Sequence, residues 1–282
     1  VLLTEIRRYP VKSLRGDAVQ EAVVEPWGLA GDRRWMLVDA AGDVVTAREV
    51  NRMLLLHPTE TATGLHITAP GREPLDVAAP SGVDPVRVAV FGTELVAAPA
   101  GPEADAWFSA ALEDDVRLVW LDDPTRRQVR QDYGEPDDLV SFADGFPLLL
   151  ASEDSLAALD ADLPEGQQPL SMVRFRPNVV VSGAPAWAED DWRRIRIGEA
   201  EFRAVKACDR CVMTTVDPET GERGKEPTAT LARTRRFDRR TWFAVNLVPV
   251  GAGATIRVGD EVKVLDAVAP GGGPLREPLR PR

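Results

Sequence analysis

The chain has 282 residues, 44% hydrophobic and 28% charged, the make-up of a soluble globular protein long enough for two domains. Its formal net charge of −11 argues against a general nucleic-acid binder, which is expected to be basic. No apolar run approaches the ~18 residues of a membrane span, residues 1–8 lack the basic-then-apolar order of a signal peptide, and two cysteines build no disulfide framework, so a reducing cytoplasm is the expected location.

Residues 1–8 alternate loosely and predict a strand that ends at Tyr9-Pro10-Val11-Lys12-Ser13. Residues 18–25 predict a second, stopped by Pro26-Trp27-Gly28. Residues 34–38 and 44–48 read as a hairpin around Ala41-Gly42-Asp43. Residues 54–62, 65–69 and 86–95 continue a series of short strands broken by Gly and Pro, the spacing of a barrel or sandwich. A helix is expected over 103–112, with Trp107 and Phe108 on one side, and a strand over 116–121.

Residues 122–138 are polar and punctuated by proline, the expected seam between a domain of residues 1–121 and one of 122–268. Ser152 is placed to cap a helix running to Leu163, with Glu153 and Asp154 favouring the dipole of its first turn. A short strand over 178–181 follows, then a hairpin of 194–197 with 200–206 whose second strand delivers Cys208. A short Arg-rich helix is expected over 228–237 and a last hairpin of 255–258 with 261–265. The Gly/Pro/Arg-rich residues 269–282 read as a flexible tail. The fold class is mainly β with a few helices (α+β).

The chemistry centres on residues 206–221, Lys-Ala-Cys-Asp-Arg-Cys-Val-Met-Thr-Thr-Val-Asp-Pro-Glu-Thr-Gly, which hold both cysteines. Lys206 and Arg210 flank Cys208 and Cys211, and a nearby cation lowers a thiol's pKa from its free value of about 8.5. A thiolate is a nucleophile, a redox group or a soft metal ligand. Structural zinc needs four ligands, and His57 and His66 lie far upstream. A thioredoxin-like dithiol opens a helix, whereas Thr214-Thr215-Val216 is β-branched and reads as extended chain. Two inert buried cysteines are the plain alternative.

Polar clusters interrupt other strands: Lys12-Ser13, Asp32-Arg33, Thr46-x-Arg48 and Arg174-Phe175-Arg176-Pro177-Asn178. Together they supply cations and donors suited to a phosphate or other anion, each charge-assisted bond contributing roughly 1.5–3 kcal/mol. Singly, each is equally a surface ion pair or a turn, and Arg235, Arg236, Arg239 and Arg240 read as a solvated face. Only four of the 34 basic residues are lysines, Lys12, Lys206, Lys225 and Lys263; Lys12 and Lys206 fall in these stretches and Lys225 lies just beyond residue 221.

Residues 206–221 closely resemble the core motif of the MOSC family, named for the C-terminal domain of molybdenum cofactor sulfurases. Tyr9-Pro10-Val11-Lys12-Ser13, Gly31-Asp32-Arg33-Arg34-Trp35 and Thr46-Ala47-Arg48 resemble the β-barrel domain that precedes MOSC in many members, including the mitochondrial amidoxime reducing components and their bacterial relatives. Arg174 to Asn178 and Lys225-Glu226-Pro227 match as well, so the resemblance runs from Val1 to about Leu265. It implies a MOSC N-terminal β-barrel-like domain over 1–121 and a MOSC β-barrel domain over 122–268. It implies a molybdenum cofactor (molybdopterin), with Cys211 as the catalytic metal thiolate and Cys208 as structural. By motif position Lys12, Ser13, Arg33, Arg176, Asn178, Asp209 and Arg210 would contact the cofactor, with Asp209 standing where relatives often carry Ser; Phe146 is not carried over. The activity implied is two-electron reduction of N-hydroxylated or N-oxide small molecules by oxygen-atom transfer. Iron–sulfur ligation needs further cysteines that the chain lacks, so a separate flavodoxin-, ferredoxin- or cytochrome-type electron donor is expected. The alternative is a carrier of the cofactor or of sulfur, with Cys211 passing a persulfide.

Overall fold

The computed structural model describes residues 1–276. In chain order its strands are β1 (Leu2–Arg8), β2 (Asp17–Val19), β3 (Glu21–Glu25), β4 (Gly28–Leu29), β5 (Trp35–Val38), β6 (His57–Thr61), β7 (Gly64–Thr68), β8 (Leu75–Ala78), β9 (Val86–Val90) and β10 (Thr93–Pro99). Helix α1 (Pro102–Leu112) precedes β11 (Arg117–Trp120) and β12 (Leu148–Ser152), and α2 (Glu153–Ala161) precedes β13 (Val179–Ser182), β14 (Trp192–Ile197) and β15 (Ala200–Asp209). The chain continues through α3 (Thr228–Thr234), β16 (Arg236–Phe237), β17 (Arg240–Pro249), β18 (Thr255–Arg257) and β19 (Val262–Ala267).

The fold is mainly β. One large sheet runs β19-β14-β15-β17-β12-β13-β1-β2, with β16 beside β17. Every neighbouring pair in it is antiparallel except β12–β13, whose parallel pairing is made possible by the crossover through α2. Ser152 caps that helix as expected, accepting from the Ser155 N–H. The core of this sheet is built by Leu3, Ile6, Val179, Ile195, Phe202 and Leu247. A four-stranded sheet, β5-β11-β10-β9, packs with α1 through Trp35, Leu37, Phe108 and Leu118. Two three-stranded sheets, β18-β3-β4 and β6-β7-β8, complete the described fold. None of the four is a closed barrel, although the Leu2–Glu261 bridge and the Leu3 N–H to Asp260 carbonyl bond (2.9 Å) bring both ends of the large sheet together.

The sheets draw on both sides of the expected seam at 121/122, β1 pairing with β13 and β3 with β18. Several expectations for single elements need correcting. The loose alternation of β1 has a cause: a register shift between Leu3 and Glu5 puts Leu3 and Ile6 on one buried face. Residues 18–25 break into β2 and β3 at Gln20, and 86–95 bend at Phe91-Gly92 into the β9–β10 hairpin. The hairpin expected of 34–38 with 44–48 reduces to one Val38–Val44 bridge, since β5 pairs with β11 instead. Residues 255–258 and 261–265 do not pair with each other; β18 joins β3 and β19 joins β14. The helix expected over 228–237 ends at Thr234. Arg235 is buried in an ion pair with Asp190 rather than solvated. Strand β17, at the centre of the large sheet, was not foreseen. Up to residue 276 the tail is held: the Leu275 carbonyl accepts from the Ala207 N–H at 2.7 Å and Arg276 pairs with Asp238. The remainder of that expectation lies outside the described residues.

Candidate functional site

Strand ends from both halves of the sequence converge on one cavity of about 420 Å3. Beyond β1 the chain turns sharply, with Ser13 at φ 68°, and Val11 bridges to Trp35 while the Lys12 N–H donates to the Trp35 carbonyl. Asp32 fixes this corner: one carboxylate oxygen accepts from the Tyr9 N–H (2.8 Å) and the other from the Arg33 guanidinium (2.6 Å). The Tyr9 ring carries two guanidinium groups, Arg33 and Arg176, each 4.3 Å from its centroid. Arg176 closes a 3-10 turn, Met172–Phe175, in the left-handed region (φ 56°), and so aims away from β13 into the cavity.

Lys12, Ser13, Arg33, Arg176, Asn178, Asp209, Arg210 and Cys211, the eight positions singled out in the sequence, all line this cavity. Arg48, Arg130, Arg174 and Lys206 join them, so eight cations face two carboxylates, Asp144 and Asp209, in a protein of net negative charge. The Arg176 Nη2 and Arg210 Nε atoms are buried without a partner, as is the Tyr9 hydroxyl. Orphaned donors are costly unless something accepts from them, and in a cavity rich in cations that acceptor is an anion. Burial lowers the Arg176 guanidinium to about 10, a further sign that bringing a negative charge here is favourable.

Lys12 is buried, donating to the Phe142 carbonyl at 2.9 Å and pairing with Asp144. Burial brings its ammonium down to about 8 despite that carboxylate. Desolvation alone would raise Asp144, but Lys12 and Arg48 outweigh it and hold the carboxyl well below the usual range. Arg127 fixes this loop from behind by donating to the carbonyls of Ser141, Ala143 and Asp144. Asn178 is fully engaged with protein: its Oδ1 accepts from Arg33 (2.9 Å) and the Leu149 N–H (3.2 Å), and its Nδ2 donates to the Arg7 carbonyl. It positions Arg33. The Asp209 carboxylate is likewise taken by Lys206 and Arg240.

The two cysteines differ in surroundings. Cys208 lies near the end of β15, packs on the Phe175–Phe243 core and accepts from the Arg210 Nη1 at 2.8 Å; burial pushes its thiol up. Cys211 leads into a 3-10 turn, Val212–Thr215, where extended chain was expected. The Thr214 and Thr215 hydroxyls donate to the carbonyls of Cys211 and Val212, so β-branched residues favour the turn here. The Arg48 guanidinium lies against the Cys211 sulfur and bonds Asp144 at 2.7 Å. Burial would lower it, but Asp144 and Cys211 raise it above its ordinary value. Arg48 stood in a cluster noted in the sequence but was not assigned to the site; Arg130, Asp144 and Phe91 were not foreseen there. A second hollow, about 710 Å3 beside the β14–β15 turn, has three carboxylates (Glu199, Glu201, Glu261) against two cations (Arg196, Lys263) and no thiol. It lacks the donors of the first.

A mainly β chain whose two halves close a cation-lined, thiol-bearing cavity defines the class. Residues 1–115 match the MOSC N-terminal beta barrel domain and residues 137–263 the MOSC domain. The chain is 34% identical to mitochondrial amidoxime-reducing component 1 of Homo sapiens, covering 91% of this chain and 81% of that protein. It is 33% identical to component 1 of Xenopus laevis (93% and 81%) and 37% identical to component 2 of Rattus norvegicus (82% and 71%). The chain belongs to the MOSC family of proteins with the N-terminal β-barrel domain, the family of these amidoxime-reducing components. Among the described residues no helix is long and apolar enough to cross a membrane.

Proposed function

We propose that the cavity holds a molybdenum cofactor of the molybdopterin type and that the chain is a reductase of N-hydroxylated or N-oxide small molecules. The observation that carries this reading is the meeting of eight cations, two with unpartnered buried nitrogens, and the Cys211 thiol in one cavity. The donor set fits the group, which needs cations for its phosphate and one protein thiolate for its metal. Arg176 and Arg210 would take the phosphate through their free N–H donors, with Lys12, Ser13 and Arg33 alongside; Asn178 holds Arg33 in place. Asp209 would act through Lys206 and Arg240, which its carboxylate orients. Cys211 would supply the thiolate, with Arg48 beside it in the same cavity. When bound, the cofactor would supply two-electron reduction with removal of oxygen from the substrate. The names of the relatives favour a reductase over a sulfur carrier. The electrons would come from a separate flavodoxin-, ferredoxin- or cytochrome-type protein, and a reducing compartment such as the cytoplasm suits a free thiol at Cys211.

Elemental analysis and pterin fluorescence on protein from a host that makes the cofactor test this. About one molybdenum per chain is expected in the wild type and in Cys208→Ala, and none in a folded Cys211→Ala. A persulfide on Cys211 without metal or pterin would move the assignment to sulfur transfer.

A further inference from the structure

Phe91 is the one large aromatic side chain exposed at this cavity through strain. It is 48% exposed and joins none of the apolar core clusters. It sits in the two-residue β9–β10 turn, where Val90 pairs with Thr93. Both turn residues have positive φ, 50° at Phe91 and 83° at Gly92, the pattern of a type I′ turn that favours Asn-Gly or Asp-Gly. A bulky side chain at positive φ is unfavourable and persists where the surroundings or the function require it. Folding alone would be better served by Asn.

The ring lines the cavity that also holds Cys211, and Lys12 and Arg48 each lie 4.8 Å from its centroid. One Asp144 carboxylate bridges both cations and holds them close together against the ring. The ring is nevertheless half exposed, so part of it stays open to the cavity. Two cations already polarise the ring, so a third against it is disfavoured and a neutral planar group is favoured.

We propose that Phe91 is a specificity-determining platform that stacks a neutral, planar, aromatic N-hydroxylated substrate next to Cys211. This rests on the reductase reading for the identity of the substrate, but the platform itself is read from Phe91. The tests use holoprotein of the wild type, Phe91→Ala, Phe91→Trp and Phe91→Asn. Calorimetric Kd values are taken for benzamidoxime and acetamidoxime on oxidised protein without reductant, KM and kcat with an artificial donor, and molybdenum content and Tm alongside. Phe91→Ala is expected to weaken benzamidoxime roughly 3- to 10-fold in Kd and KM, with kcat and metal content within about twofold and acetamidoxime unmoved. Phe91→Trp should keep the affinity. Phe91→Asn should lose it while raising Tm by about 2 °C or more, the relief of turn strain. Equal weakening of both amidoximes, loss of molybdenum in Phe91→Ala, or a lower Tm in Phe91→Asn would overturn the proposal. Binding that depends on Phe91 without any turnover would sink the reductase reading and leave the platform standing.

Discussion

Tyr9 places two like charges on one ring, and Lys12 a third nearby, an arrangement that costs stability until an anion arrives. The cost at Lys12 has a pH signature. Below about pH 8 folded and unfolded chains both hold its proton and the burial penalty stands in full; between about 8 and 10.5 the folded chain has released a proton that the unfolded chain keeps, so stability from this group rises with pH. The unfolding free-energy difference between wild type and Lys12→Met, from denaturant melts, should therefore shift toward the wild type on going from pH 7 to pH 9.5, by up to about 2 kcal/mol. A difference that stays constant with pH would contradict the depressed value. That Lys12, Arg33 and Arg176 come to line one cavity was foreshadowed in the sequence, where they interrupt strands, and strand ends are where this fold converges. Asp144 was hidden: its neighbours in sequence are Ala143 and Gly145, and the cations that define it lie 132 and 96 residues away.

At the level of elements, the connection from β1 to β2 decides whether Tyr9 can sit under its guanidinium groups. Gly16 makes this possible, since a Cβ there would stand 2.3 Å from the Tyr9 ring and 2.6 Å from the Arg8 carbonyl. Gly16→Ala should cost about 1–3 kcal/mol through overpacking and also reduce molybdenum retention, because the ring that moves carries Arg33 and Arg176. Unchanged Tm and metal content would remove Gly16 from this role. Local pattern revealed β1, α1, α2 and the β14–β15 hairpin, where periodicity and caps agree. It failed where partners are remote or backbone bonds are satisfied by side chains. The Thr214 and Thr215 hydroxyls turn a β-branched run into a 3-10 turn. β18 and β19, which read as one hairpin, join strands from different halves of the chain. Strand β17 went unread because its ten residues, Arg-Thr-Trp-Phe-Ala-Val-Asn-Leu-Val-Pro, are buried on both faces for most of their length and do not alternate.

Across the whole molecule, the two family matches divide the sequence more cleanly than the sheets do. Residues 1–121 provide β1 and β2 at one end of the large sheet, and Leu3, Ile6, Val24 and Leu29 in its core. They are also tied to the second half by Arg15–Glu219 and by Arg223, which holds the Arg48 carbonyl and the Asn51 side chain. A chain of residues 122–268 alone should therefore lack a native-like, cooperative thermal transition, exposing the β13 edge to aggregation. A monodisperse fragment that melts sharply would show the boundary at 121/122 to be structural as well as sequential.

The pairing of β1 with β13 also sets a timetable on the ribosome. The β13 partner of residues 2–8 is synthesised some 170 residues after them, roughly 10–35 s at ordinary elongation rates. Until then one edge of β1 has no partner, with only the short β2 on the other, and its apolar face is open to chaperones. The cavity lining spans Lys12 to Asn246, so insertion of any guest into the finished site has to wait until both halves of the sequence have emerged.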